Sequence, residues 1–235
     1  MTNRESRRQP TVAIDGPVGS GKSTVARKLA ERLGFLYIDT GAMYRAAAWK
    51  AMQSGVDLEN HESVARLIAD TEIELGRGDR TVWCDGENVT ERIRAPEVSR
   101  ATSPVADNPE VRKRLVHLQQ EMGKEGGVVM EGRDIGTVVF PDADLKIYLD
   151  ANPEVRAKRR TDELRALGVR VAYEETLRDL IERDRRDKTR PIGALRVAEG
   201  AIILDSTRLT VDEVVGQIEQ RVRDLQLKDG SVRIR

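Results

Sequence analysis

The chain has 235 residues, 39% of them hydrophobic, with 40 basic and 40 acidic side chains that cancel to no formal net charge. That is enough for one α/β domain with insertions, and the balance argues against bulk nucleic-acid binding. One cysteine, Cys84, excludes a disulfide framework, and no apolar run reaches membrane-spanning length, so a cytoplasmic protein is expected.

Residues 1–9 are polar, with no signal-peptide core, and are expected to be a flexible tail, as are residues 228–235. Between them, 10–227 reads as a single domain. Residues 11–15 form a short buried strand that stops at Gly16. Gly16-x-x-x-x-Gly21-Lys22-Ser23 then matches the phosphate-binding loop pattern without a gap, filled out by Pro17, Val18, Gly19, Ser20 and Thr24. Glycines let successive N–H groups point at one anion. Lys22 supplies a mobile charge for β- and γ-phosphates, and the Ser23 hydroxyl suits Mg²⁺. The amphipathic run after it predicts a helix whose N-terminus faces the phosphates. Strand, loop and helix in this order predict a nucleoside triphosphate site.

A second buried strand is predicted at 35–39, followed by a helix to about 53 and another at 61–70 entered through an Asn60 cap. Alternation between 72 and 90, with turns at 76–79 and 85–86, predicts a small antiparallel insert. Helices follow at about 95–105 and 109–124, and a third buried strand at 128–131 ends in Gly132-Arg133-Asp134. A fourth strand at 145–150 leads to a helix at 153–167 that places Arg156, Arg159 and Arg160 on its surface. Another, highly charged helix is predicted at 173–188, then a fifth buried strand at 201–205 and a closing helix at 210–225. Five apolar runs alternating with helices predict a parallel sheet covered on both faces. Ligands of such sheets bind beyond the strand C-termini, where Asp15, Asp39, Arg133, Asp134, Asp150 and Asp205 gather.

Of the 40 basic residues 31 are Arg, whose planar fork suits phosphate. Arg45 follows the second strand and Arg133 the third, while Arg183, Arg186 and Arg190 recur at helical spacing on one face. A solvated, salt-bridged helix face would account for that last run by itself. His61 and His117 read as surface or cap residues, Cys84 as a small apolar filler, and Trp49 and Trp83 as packing residues.

Five motifs together resemble the bacterial cytidylate kinases. They are Gly16-Pro17-x-Gly19-Ser20-Gly21-Lys22-Ser23-Thr24, Asp39-Thr40-Gly41-Ala42-Met43-Tyr44-Arg45, the run from Glu131 through Gly132-Arg133-Asp134-Ile135-Gly136 to Pro141, Arg183-x-x-x-Asp187-x-x-Arg190, and Leu204-Asp205-Ser206-Thr207. The resemblance covers about 10–222 and implies transfer of the γ-phosphoryl of ATP, with Mg²⁺, to CMP or dCMP. It implies that Thr40, Arg45, Arg133 and Arg190 hold the acceptor phosphate, that Ser103, Arg112 and Asp134 read cytosine, and that Arg183 and Asp187 read the sugar. It sets Arg159 against adenine and Arg186, with Lys22, Arg133 and Arg190, at the transferring phosphoryl. It also implies a monophosphate-binding insert at about 60–105, a lid at about 168–198 and a monomer. Thr40 and Glu131 stand where many relatives carry Ser and Asp, each keeping its functional group.

Chemistry supports the base assignment. An Arg donor with a carboxylate acceptor complements the O2, N3 and N4 edge of cytosine and mispairs with uracil. A kinase of the same fold acting on UMP, AMP or shikimate is the alternative that Asp134 and Arg112 disfavour. A guanine-nucleotide switch lacks its Asn-Lys-x-Asp segment here, and a nucleic-acid ATPase would want aromatic stacking residues near its arginines.

Overall fold

The computed structural model describes residues 8–76, 80–166 and 168–228. The expected tails at 1–7 and 229–235, most of the 76–79 turn and the expected helix end at 167 lie outside the described residues.

Strand β1 (Gln9–Asp15) begins inside the stretch expected as tail, because Gln9 already pairs with Gly126 and the Thr11 N–H donates to Asp144 Oδ2 at 2.7 Å. After the loop comes α1 (Lys22–Leu33), which Gly34 ends in the left-handed region at φ 67°. Then follow β2 (Leu36–Asp39), α2 (Thr40–Gln53) and α3 (His61–Ala69), the last capped as expected by the Asn60 side chain on the Ser63 N–H. The insert is β3 (Ile73–Leu75), β4 (Val82–Cys84) and β5 (Glu87–Asn88), antiparallel in that order. Next are α4 (Pro96–Asp107) and α5 (Pro109–Gly123), the latter opened by Asn108, whose side chain accepts from Glu110 and Val111 N–H groups. Strand β6 (Gly126–Gly132), β7 (Leu145–Asp150), α6 (Pro153–Ala166), α7 (Tyr173–Thr189), β8 (Ile202–Asp205) and α8 (Val211–Lys228) complete the chain.

The main sheet has the order β2-β6-β1-β7-β8, and the β6–β1, β1–β7 and β7–β8 pairs run parallel. This is the α/β class that the alternating apolar runs predict. Strand β8 departs from the expected buried strand. It is an edge strand with Ile203 61% exposed.

Leu36–Lys124 forms one compact unit, and the described residues before and after it form the other. Within Leu36–Lys124, α2 packs against α3, α4 and α5. Ala42, Met43, Ala46 and Ala47 share a buried cluster with Val64, Ile68, Val105 and Leu115, small side chains letting helices approach closely. Trp83 does not pack there. Strand β4 alternates, sending Val82 and Cys84 inward and leaving Trp83 39% exposed, whereas Trp49 is buried as expected. Cys84 is the apolar filler it reads as, its thiol pushed up to about 11 by burial.

Candidate active site

The phosphate loop owes its shape to contacts that leave no room for side chains. A Cβ on Gly16, at φ 149°, would stand 2.0 Å from the Leu149 carbonyl oxygen. Gly21, at φ 95°, is the N-cap of α1. Lys22 is buried and donates from Nζ to the Pro17 carbonyl at 2.7 Å. Burial and then the Arg133 guanidinium push its ammonium down to about 7, against the pull of Glu131, Asp15 and Asp187. Ser23 and Thr24 are exposed on the first turn of α1, where N–H groups lack intrahelical partners.

Beside the loop, the buried Asp15 carboxylate accepts from the Ile135 N–H at 2.8 Å and the Gly136 N–H at 2.7 Å. These two donors open the short helical turn Ile135–Val139 that follows Arg133 and Asp134. Asp15 therefore pins that turn to the strand that carries the loop. Burial raises its carboxyl to about 6, with Asp134 adding to the rise; the two N–H bonds and Lys22 oppose it.

Strand register brings the loop and the arginine side by side. Asp15 pairs with Gly132 across β1 and β6, so Gly16 and Arg133 leave the sheet at the same level. Arg133 Nε donates to Asp187 Oδ2 at 2.8 Å, and Arg190 Nη2 to Asp187 Oδ1 at 3.1 Å. Burial alone would raise Asp187, but Arg133, Arg183 and Arg190 hold its carboxyl below the ordinary range. Asp134, the next residue after Arg133, is buried.

Helix α7 does not present all its arginines to one side. Arg190 is its C-cap and is buried, whereas Arg186 is largely exposed and pairs with Glu182 at 2.9 Å. The register explains the difference: Asp184 and Asp187 take the inner face, which leaves Arg186 with Glu182 outside. Arg156 also departs from its expected surface position. It is buried, with Nη1 2.7 Å from Asp184 Oδ2. Arg159 donates to the Ser206 carbonyl at 2.8 Å, and the Ser206 hydroxyl to the Ser20 carbonyl at 3.0 Å, so its guanidinium is tied to the phosphate loop.

A second group of expected residues lies within Leu36–Lys124. Asp39 caps α2 by accepting from the Ala42 N–H at 2.9 Å, and its other oxygen accepts from Arg45 Nη2 at 2.9 Å. Gly41 lets that pair close, since a Cβ there would stand 3.0 Å from Arg45 Nη1. Thr40 is buried at the first helical position. Arg112 is buried, donates to the Ala106 carbonyl at 3.2 Å and lies over the Tyr44 ring at 5.3 Å. Ser103 is half-buried on α4.

Sequence reasoning gave no role to Asp15, Asp39, Asp184, Arg156 and Ser206, which bond to expected residues or to the segments beside them. The first two were visible as carboxylates at strand C-termini. The Arg156–Asp184 pair, 28 residues apart, had no local signal.

A family model described as cytidylate kinase matches residues 12–224. A protein named cytidylate kinase from Pelotomaculum thermopropionicum is 55% identical over 216 residues, covering 91% of this chain and 96% of its own. One of the same name from Desulfitobacterium hafniense is 50% identical over 223 residues, covering 94% and 96%. Among solved structures, one described as an uncharacterized protein from Eubacterium ventriosum is similar with a TM-score of 0.51 at 16% identity, covering 92% of this chain and 99% of its own, a likeness of fold alone.

Proposed function

The chain belongs to the cytidylate kinase family, and we propose that it transfers the γ-phosphoryl of ATP to CMP or dCMP, giving ADP and CDP or dCDP. The observation that carries the reading is the β1–β6 register, which launches the phosphate loop and Arg133 from adjacent strands at one level. Phosphoryl transfer needs that adjacency, since its catalysis is alignment plus charge neutralisation.

The loop residues Gly16 to Thr24 wrap the donor phosphates with main-chain N–H groups, and Lys22 leaves Pro17 to meet the β- and γ-phosphates. Arg159, tied to Ser206, lies flat against adenine. Thr40, Arg45, Arg133 and Arg190 hold the acceptor phosphate, and Arg183 with Asp187 the sugar. Ser103, Arg112 and Asp134 read the cytosine edge, Arg112 already set by its place over Tyr44. The acceptor phosphate is itself the nucleophile, so the mechanism needs no protein base. Arg133 and Arg190 neutralise charge on the transferring group, and Arg186 swings in from its exposed pair with Glu182 as the lid, about 168–198, excludes water. The exposed Ser23 hydroxyl is a hard oxygen donor that fits Mg²⁺, which would supply charge neutralisation between the β- and γ-phosphates. The protein works as a cytoplasmic monomer in pyrimidine nucleotide metabolism. No helix among the described residues is long and apolar enough to cross a membrane.

Coupled measurement of ADP release across CMP, dCMP, UMP and AMP tests this. Turnover with CMP and dCMP far above the others is the expected result. Equal rates with all four, or ATP consumption without an acceptor, would overturn it.

A further inference from the structure

Two carboxylates sit one turn apart on the buried face of α7, and each holds an arginine from outside that helix. Asp187 holds Arg133 at 2.8 Å, and Asp184 holds Arg156 at 2.7 Å. Arg156 does more than neutralise Asp184. The same Nη1 donates to the Val18 carbonyl of the phosphate loop at 3.2 Å, and Nε donates to the Ala151 carbonyl at 2.8 Å. Its main chain also abuts the loop, since a Cβ on Gly19 would stand 2.8 Å from the Arg156 carbonyl oxygen.

Both partners are buried, Arg156 to 4% exposure and Asp184 to 8%, and Asp184 Oδ1 is buried without a hydrogen-bond partner among the described residues. A buried ion pair contributes little net stability compared with well-packed apolar side chains. What this one does provide is a stiff connection with fixed geometry. If a triphosphate draws Val18 toward itself, Arg156 follows its acceptor, and Asp184 follows Arg156. Asp187, one turn on in the same helix, then carries Arg133 and Arg190 with it.

We propose that Arg156 and Asp184 are positioning residues that link the phosphate loop to α7, so that ATP and CMP bind with positive coupling. The link rests on the phosphoryl-transfer reading above, but it concerns binding and not chemistry. By thermodynamic reciprocity the coupling works both ways: an ATP analogue tightens CMP by the same factor as CMP tightens the analogue.

Calorimetry of CMP binding, with and without a non-hydrolysable ATP analogue, tests the proposal. In the wild type the analogue is expected to tighten CMP at least about five-fold. Asp184→Asn and the apolar double variant Arg156→Met/Asp184→Leu are expected to reduce that factor below about two-fold while changing the affinity for CMP alone far less. Arg156→Lys is the second arm should those variants not fold: it keeps the charge, but a single ammonium cannot reproduce the Ala151, Val18 and Asp184 contacts together, so coupling is again lost. A folded variant that keeps the wild-type factor overturns the link, as does a wild type that binds both nucleotides independently. A wild type that binds no CMP overturns the acceptor assignment and the link with it.

Discussion

Replacing Asp15 by Asn gives a prediction whose size follows from the buried carboxyl. Its folded value of about 6 against an ordinary 3.8 converts to about 3 kcal/mol opposing the fold once the group is ionised. The folded pKa lies above the unfolded one, so the native state binds more protons between them. Stability must therefore fall as pH rises from about 4 through about 6, and this contribution is flat above about 7. The Asn variant has no such titration, so the wild type should lose about 1.4 kcal/mol relative to it between pH 5 and pH 8. The amide has one acceptor oxygen for the two N–H donors of Ile135 and Gly136, and stranding one of them costs about 1–3 kcal/mol. At pH 8 the two effects offset, leaving the stabilities within about 2 kcal/mol. Activity does not share that compensation, because the turn after Arg133 and Asp134 has lost an anchor, and kcat should fall at least about ten-fold. Urea unfolding of both proteins at pH 5 and pH 8, compared as differences, reads the effect. Parallel pH dependences in the two proteins would refute the assignment of a raised, charge-burying Asp15.

Lys22, held down to about 7, should take up close to one proton when ATP binds at pH 8 and much less at pH 6, because the phosphates favour the ammonium. Calorimetry in buffers of different ionisation enthalpy measures this, and heats independent of buffer would contradict it. Asp187→Ala strands Arg133 and Arg190 without their shared carboxylate and should lower stability by about 3–5 kcal/mol, seen as a fall in Tm. An unchanged Tm would show that those guanidiniums are well solvated. Asp134→Ala should lower the CMP-to-UMP ratio of kcat/KM at least about ten-fold with little change in Tm; an unchanged ratio removes Asp134 from the base site.

What was legible in the sequence was what local pattern encodes. The loop between β1 and α1 is a contiguous motif, and β7 lies at the predicted 145–150 because its apolar run is bounded on both sides. Arg133 was legible because it ends a strand. Arg156 was not: on a helix with acidic and basic residues all round, nothing local marks one arginine as the buried one, and its Asp184 partner lies 28 residues on. The outward pairing of Arg186 was not legible, for the complementary reason. Its i,i+4 partner Glu182 competes for it on the outer face, a choice that spacing alone leaves undecided. Ile203 read as core because an apolar run does not reveal whether its strand is central or at an edge.

Arg45 holds a resident counter-ion, Asp39. In the proposed reaction, acceptor binding at Arg45 is an exchange of anions at a guanidinium that is already neutralised, and chloride or a singly charged ester has little to gain by displacing a carboxylate. A phosphate dianion does, and Asp39 released from Arg45 keeps its other oxygen on the Ala42 N–H. Because little net charge is uncovered or covered in the swap, acceptor affinity should change less with ionic strength than a bare arginine would imply.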